Sequence, residues 1–243
     1  MKTDNTAEIM ELLRTKEGTD GIFEHADLEN ANLKNANLKN ASFEGANLRD
    51  ADLSGANLKG ANLKDIDAHG ADFSGANFEG ANLEHADFSH VEISNASAKK
   101  ANLKEANFRS AELVNTSLIN CNLTDADFSY CNLNGADLSK SSMANLSLLR
   151  ANLSFADLTD ADLSDANLRD ANLSFAKLNH ANLENADIKG GELVNTELAS
   201  ADLKNVNLEG ANLKDADFSN SDLTGAELKD SICKGANFKN TTK

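Results

Sequence analysis

Three cysteines and five histidines are the side chains of this 243-residue chain best suited to metal or thiol chemistry. Cys121, Cys131 and Cys233 show none of the paired spacings that hold zinc or run thiol exchange. They are expected to be small, buried, free thiols. His25, His69, His85, His90 and His180 are scattered. His69 and His90 would approach each other if the chain coils with a twenty-residue period, but no third ligand accompanies them. No metal and no cofactor is expected. Serine and aspartate are abundant, yet a sequence repeat places them, and no nucleophile has a base and an orienting group beside it. The chain is therefore not expected to be an enzyme.

That repeat has a period of five. Residues 151–173 read ANLSFADLTDADLSDANLRDANL: a small residue, a short polar one, a leucine, then two more polar positions. Counted by its central apolar residue, the repeat runs from Phe23 to Phe238 in 44 copies without insertion or deletion. Only Ala68, Ala98 and Cys233 depart from Leu, Phe, Ile or Met at the centre. Two residues earlier stands alanine in 31 of the 44 copies, so that position must be crowded.

Five matches neither the helical period nor the alternation of an ordinary strand. One large and one small residue in every five face inward, so the chain must turn a corner about every five residues. Four sides close a coil of twenty residues, giving about 11 coils. Stacked coils pair as parallel strands about 4.8 Å apart. The expected fold is an all-β solenoid, a quadrilateral parallel β-helix. Where the centre shrinks to Ala68, the preceding small position grows to Ile66. Ala98, preceded by Ala96, has no such partner and is expected to leave a thin spot. Leu146 and Leu148 make both inward positions large, so a local bulge is expected there.

Residues 1–20 lie outside the repeat. Asn5 with Glu8 reads as a capping box, Ile9, Leu12 and Leu13 form an apolar stripe, and Gly18 is a stop. A short capping α-helix over about 6–16 is expected to cover the first coil. Residues 21–240 form the β-helix and 241–243 a short tail. No helix follows, so the last coil is expected to be uncapped.

The formal net charge is −16. A direct nucleic-acid binder would be basic. No apolar run is long enough to span a membrane and no secretory leader is evident. A cytoplasmic protein is expected, without nucleic acid or membrane as a direct partner.

The A(D/N)LXX pattern, written here as ANLKN, ADLSG, ANFEG and ADLTD over residues 21–240, resembles the pentapeptide repeat proteins. The resemblance implies a right-handed, four-sided parallel β-helix. It also implies a homodimer through the C-terminal coil, although members that form one carry extra C-terminal structure that this sequence lacks. Some members mimic DNA, bind type II topoisomerases (gyrase or topoisomerase IV) and confer fluoroquinolone resistance. The inserted loops of those resistance proteins are missing here.

The outward positions are one before, one after and two after each centre. They carry net charges of −8, −5, −3 and +1 on the four faces that begin at Phe23, Leu28, Leu33 and Leu38. Glu24, Glu44, Glu84, Asp125, Asp162, Asp165 and Glu184 form the candidate acidic, DNA-mimicking surface. The third face differs. Nine of the eleven phenylalanines are centres, but Phe155 and Phe175 stand two after a centre and must point outward, one above the other. With Val114 and Val194 they form a candidate apolar stripe for an unidentified protein partner. Two functions stand open: a non-catalytic protein-binding rod, and a DNA-mimicking modulator of topoisomerase.

Overall fold

The computed structural model describes residues 23–243. The expected cap over 6–16 lies outside them. Each repeat bridges in parallel to the residue twenty positions on, from Asp27 with Asn47 to Asp222 with Thr242. The twenty-residue coil and the four sides are thus properties of the backbone.

Each corner is a β-turn. The carbonyl of nearly every centre accepts from the amide three residues on, as Ala26 N donates to Phe23 O at 3.0 Å. The residue two after the centre is the third of that turn, and all 44 such residues have positive φ, from His25 to Asn240. Glycine, asparagine and aspartate dominate these positions because they adopt that conformation at least cost. The residue before the centre closes the turn from its side chain. Asp72 Oδ1 accepts from Ser74 N at 2.8 Å and Asn32 Oδ1 from Lys34 N at 3.2 Å. This short Asx bond explains why the repeat asks for Asp or Asn there.

The remaining backbone groups pair between coils. Leu28 N donates to Asn47 O at 2.8 Å, Asn30 N to Arg49 O at 2.9 Å, and Asn47 N to Ala26 O at 2.9 Å. Side-chain ladders reinforce them, as Asn102 donates to Asn82 and Asn122 to Asn102.

The core is a narrow column of alanine, leucine and stacked rings. Phe88, Phe108 and Phe128 stack on successive coils with centroids 4.9 and 4.6 Å apart. Thr116 and Cys121 are tolerated at the small position because each donates inward to a carbonyl, of Ile93 at 3.0 Å and Ala98 at 2.8 Å.

Two expectations are corrected. Leu146 and Leu148 are both fully buried, and Ser147 still bridges Asp127 and Asn167 without interruption. The coil does not bulge, because Ala126 and Ala166 stand at the same inward position one coil below and above. Cys121 and Cys131 are buried, but Cys233 is exposed, since no coil among the described residues covers its own.

Candidate interaction surface

Phe155 and Phe175 occupy the third position of their turns, each with φ of 62°. A bulky side chain is an outlier in that region. The same column holds Asn95, Asn115, Gly135 and Asn195, residues that accept the conformation readily. Both rings are exposed, by 62% and 49%. Their centroids are 5.0 Å apart and their planes differ by 4°. Offset stacking recovers part of the backbone cost. The structure thus holds two phenylalanines in water on a backbone that disfavours them, a combination characteristic of functional surfaces.

Val194 adjoins this pair, for Phe175 N donates to Val194 O at 2.9 Å. Val114 does not. It stands two coils from Phe155, separated by the coil of Asn134 and Gly135. Both valines are half-buried. On the coils of the rings the third face carries no charge, with Glu192 one coil above: Asn132, Asn152 and Asn172 form a ladder, and Asn134 Nδ2 donates to Ser154 Oγ at 2.8 Å.

At the corner between the second and third faces lies a further exposed aromatic, Tyr130, which the repeat pattern alone did not single out. Tyr130 is 40% exposed with φ of 63°. The Arg109 guanidinium sits 4.5 Å from the centre of its ring. The signal was available, since Tyr130 is two residues after the centre Phe128. Arg109 also approaches Asp127 at 3.9 Å.

The acidic residues are spread over the first face and many are engaged. Glu24 Oε1 accepts from Ser42 Oγ at 3.2 Å, and Glu44 from Asn62 at 2.9 Å. Asp162 Oδ1 accepts from Ser164 N and Asn182, and Asp165 from Asn185. Asp125 and Asp165 are exposed, while Glu84 and Glu184 are half-buried. His85 draws three carboxylates together: its Nδ1 is 3.1 Å from Asp65, and its Nε2 is 3.2 Å from Glu105 and 3.7 Å from Glu84. A hydrogen bond from Lys104 lowers the Glu105 pKa, as one from Lys59 lowers that of Glu79. His69 and His90 meet edge to face at 5.1 Å, and Ser89 Oγ lies 2.9 Å from His69 Nδ1. Among the described residues no group of three or more His, Cys, Asp or Glu could hold a metal ion. Burial raises the Cys121 and Cys131 thiols to about 12, which keeps them protonated and unreactive. Among the described residues no helix is long and apolar enough to cross a membrane.

The family model for pentapeptide repeats matches the chain at 26–65 and 69–104, and then in overlapping segments to 207–242. Among solved structures the chain is similar to HetL, a pentapeptide repeat protein involved in heterocyst differentiation regulation from the cyanobacterium Nostoc sp. strain PCC 7120. The identity is 29% over 99% of this chain and 96% of that one, with a TM-score of 0.50. Rfr23 from the cyanobacterium Cyanothece 51142 is 39% identical over 40% of this chain and 63% of its own, with a TM-score of 0.30. Full-length QnrB1, a plasmid-mediated fluoroquinolone resistance protein, is 17% identical over 87% of this chain and 89% of its own, with a TM-score of 0.40. No curated protein sequence matches. The likeness to HetL carries the fold, a right-handed quadrilateral β-helix.

Proposed function

We propose, for a chain that belongs to the pentapeptide repeat family, that it is a non-catalytic protein-binding rod whose partner docks on Phe155 and Phe175. The observation that carries this reading is the exposed, parallel ring pair on left-handed backbone. Exposed aromatics in register are how a rod with flat faces and a filled core gains affinity. A family fold fitted to protein interaction supports the same reading, as does the likeness to HetL, which takes part in a regulatory process.

In this proposal residues 1–20 cap the rod and 21–240 form about eleven coils; the expected tail over 241–243 is corrected, since Thr242 continues the ladder on Asp222. The rod works in the cytoplasm, and its last coil is the homodimer contact. Topoisomerase modulation through the acidic faces is the weaker reading. Glu44, Asp162 and Asp165 spend carboxylate oxygens on neighbouring asparagines. Arg49 and Arg169 sit against Asp67 and Asp187. Rows so tied and interleaved offer less of a continuous phosphate-like charge.

The test is affinity capture with wild type and the Phe155→Lys/Phe175→Lys double variant at low and moderate salt. Lysine is accommodated at this turn position, as Lys100 and Lys140 show. A partner held by wild type and lost by the variant is expected. Retention of gyrase or topoisomerase IV by both, with release by salt alone, would transfer the function to the acidic faces.

A further inference from the structure

At the corner of Tyr130 the chain shows how it covers an exposed ring. The residue 21 positions earlier, Arg109, lays its guanidinium on the ring at 4.5 Å. The equivalent residue for Phe155 is Asn134. It is too short to cover a ring and its amide is committed to Ser154, at 2.8 Å to Oγ and 3.1 Å to the carbonyl. Phe155 packs one ring face on Phe175. Its other face looks toward the coil of Gly135, which carries no side chain. Phe155 is the more exposed of the pair, at 62% against 49%.

The surroundings of this missing rung are specific. Asn115 Oδ1 reaches within 2.6 Å of where a Cβ on Gly135 would stand, and offers an acceptor from below. Just round the corner, Asp137 and Asp157 stand on adjacent coils and bridge to each other through the backbone. Both are half-buried. Each uses Oδ1 to close its own turn, to Ser139 N at 3.0 Å and Thr159 N at 2.9 Å. Neither forms an ion pair with a cation among the described residues. Lys177 continues this column on the Phe175 side, away from Gly135.

An open ring face, an acceptor at Asn115 and two carboxylates without a cation suit a planar cation. We infer that the space beside Gly135 receives an arginine of the partner protein, its guanidinium stacked on the open face of Phe155 and hydrogen-bonded to Asn115 Oδ1 and the carboxylates of Asp137 and Asp157. This rests on the Phe155–Phe175 surface being the docking site. It adds what that surface selects: an arginine-bearing segment, met by the two local carboxylates and not by the charge of their face, which is +1 overall. Lysine would supply the charge but neither the flat stack nor the forked donors.

The experiment is selection of a random twelve-residue peptide display library on the full-length chain, with affinities of the selected peptides then measured on variants. Gly135→Asn fills the rung and turns the Asn115 side chain aside, since its Oδ1 lies 2.6 Å from the new Cβ, with a residue that the column already accepts at Asn95 and Asn115. Asp137→Asn/Asp157→Asn keeps both turn acceptors and removes the charges. Selected peptides are expected to carry arginine. They should lose at least tenfold in affinity to Gly135→Asn, to the aspartate double variant, and on Arg→Lys replacement in the peptide. Peptides without arginine that still depend on Phe155, or arginine peptides indifferent to Gly135→Asn that fail on Phe155→Asn, overturn the arginine site and leave the ring surface standing. A selection with no peptide distinguishing wild type from Phe155→Asn overturns both.

Discussion

Phe155 lies parallel to Phe175 at 5.0 Å, although each ring is carried by a backbone with φ of 62°. Left-handed backbone costs a residue with a Cβ roughly 1–2 kcal/mol. An aromatic pair returns about 0.5–1.5 kcal/mol. Two such backbones and one pair do not amount to a stabilising device. Phe155→Asn/Phe175→Asn is therefore expected to match or exceed wild type in denaturant unfolding. A loss above about 2 kcal/mol, the range of a core defect, would make the pair a structural clasp.

The interior predicts the opposite behaviour for Leu146. Its column is otherwise mostly alanine, so composition alone favours a trimmed side chain. The fully buried side chain and the unbroken ladder on either side show a residue that fits. Leu146→Ala should destabilise by about 2–5 kcal/mol, the range for a cavity-forming leucine. A gain in stability would reveal overpacking instead.

The thiols separate cleanly. Cys121 and Cys131 are buried, with pKa raised to about 12 by desolvation, while Cys233 is exposed. A thiol reagent at mildly alkaline pH should titrate one cysteine in the native chain and all three after denaturation. Two reactive thiols in the native state would contradict the burial.

Asp52 links the repeat to pH. Its Oδ1 accepts from Ser54 Oγ at 2.6 Å and Ser54 N at 2.9 Å, and these bonds lower its pKa. A depressed carboxylate stabilises the fold above its unfolded pKa, near ~3.9, and the contribution is lost as pH falls through the lower folded value. Asp222, held by Thr224, shifts the same way. Asp52→Asn keeps the acceptor without the titration. The stability of wild type relative to this variant should fall as pH drops from 5 through the carboxylate range. A difference that is flat or rising toward acid would refute the assignment.

Much of this fold was legible because one rule acts at every corner. The inward leucine and alanine, the Asx before the centre and the left-handed residue after it each have a local cause, and the left-handed residue recurs at all 44 corners. Phe155 and Phe175 stood out for the same reason, as bulky side chains where the rule asks for asparagine or glycine. What escaped depends on more than one coil. Tyr130 breaks the rule in the same way, yet its meaning comes from Arg109 on the coil below. Leu146 fits only through the alanines above and below it, Ala126 and Ala166, which its own coil does not show.

The central claim is that binding runs through the ring pair and not through the charged faces. The direct measurement is the dissociation constant of a captured partner for wild type, Phe155→Asn/Phe175→Asn and Asp162→Asn/Asp165→Asn, each at low and moderate salt. Loss of more than about tenfold, or ~1.4 kcal/mol, in the phenylalanine variant is expected, with little change in the aspartate variant. An unaffected phenylalanine variant, beside a weakened aspartate variant with steep salt dependence, would contradict it and make the acidic faces the site.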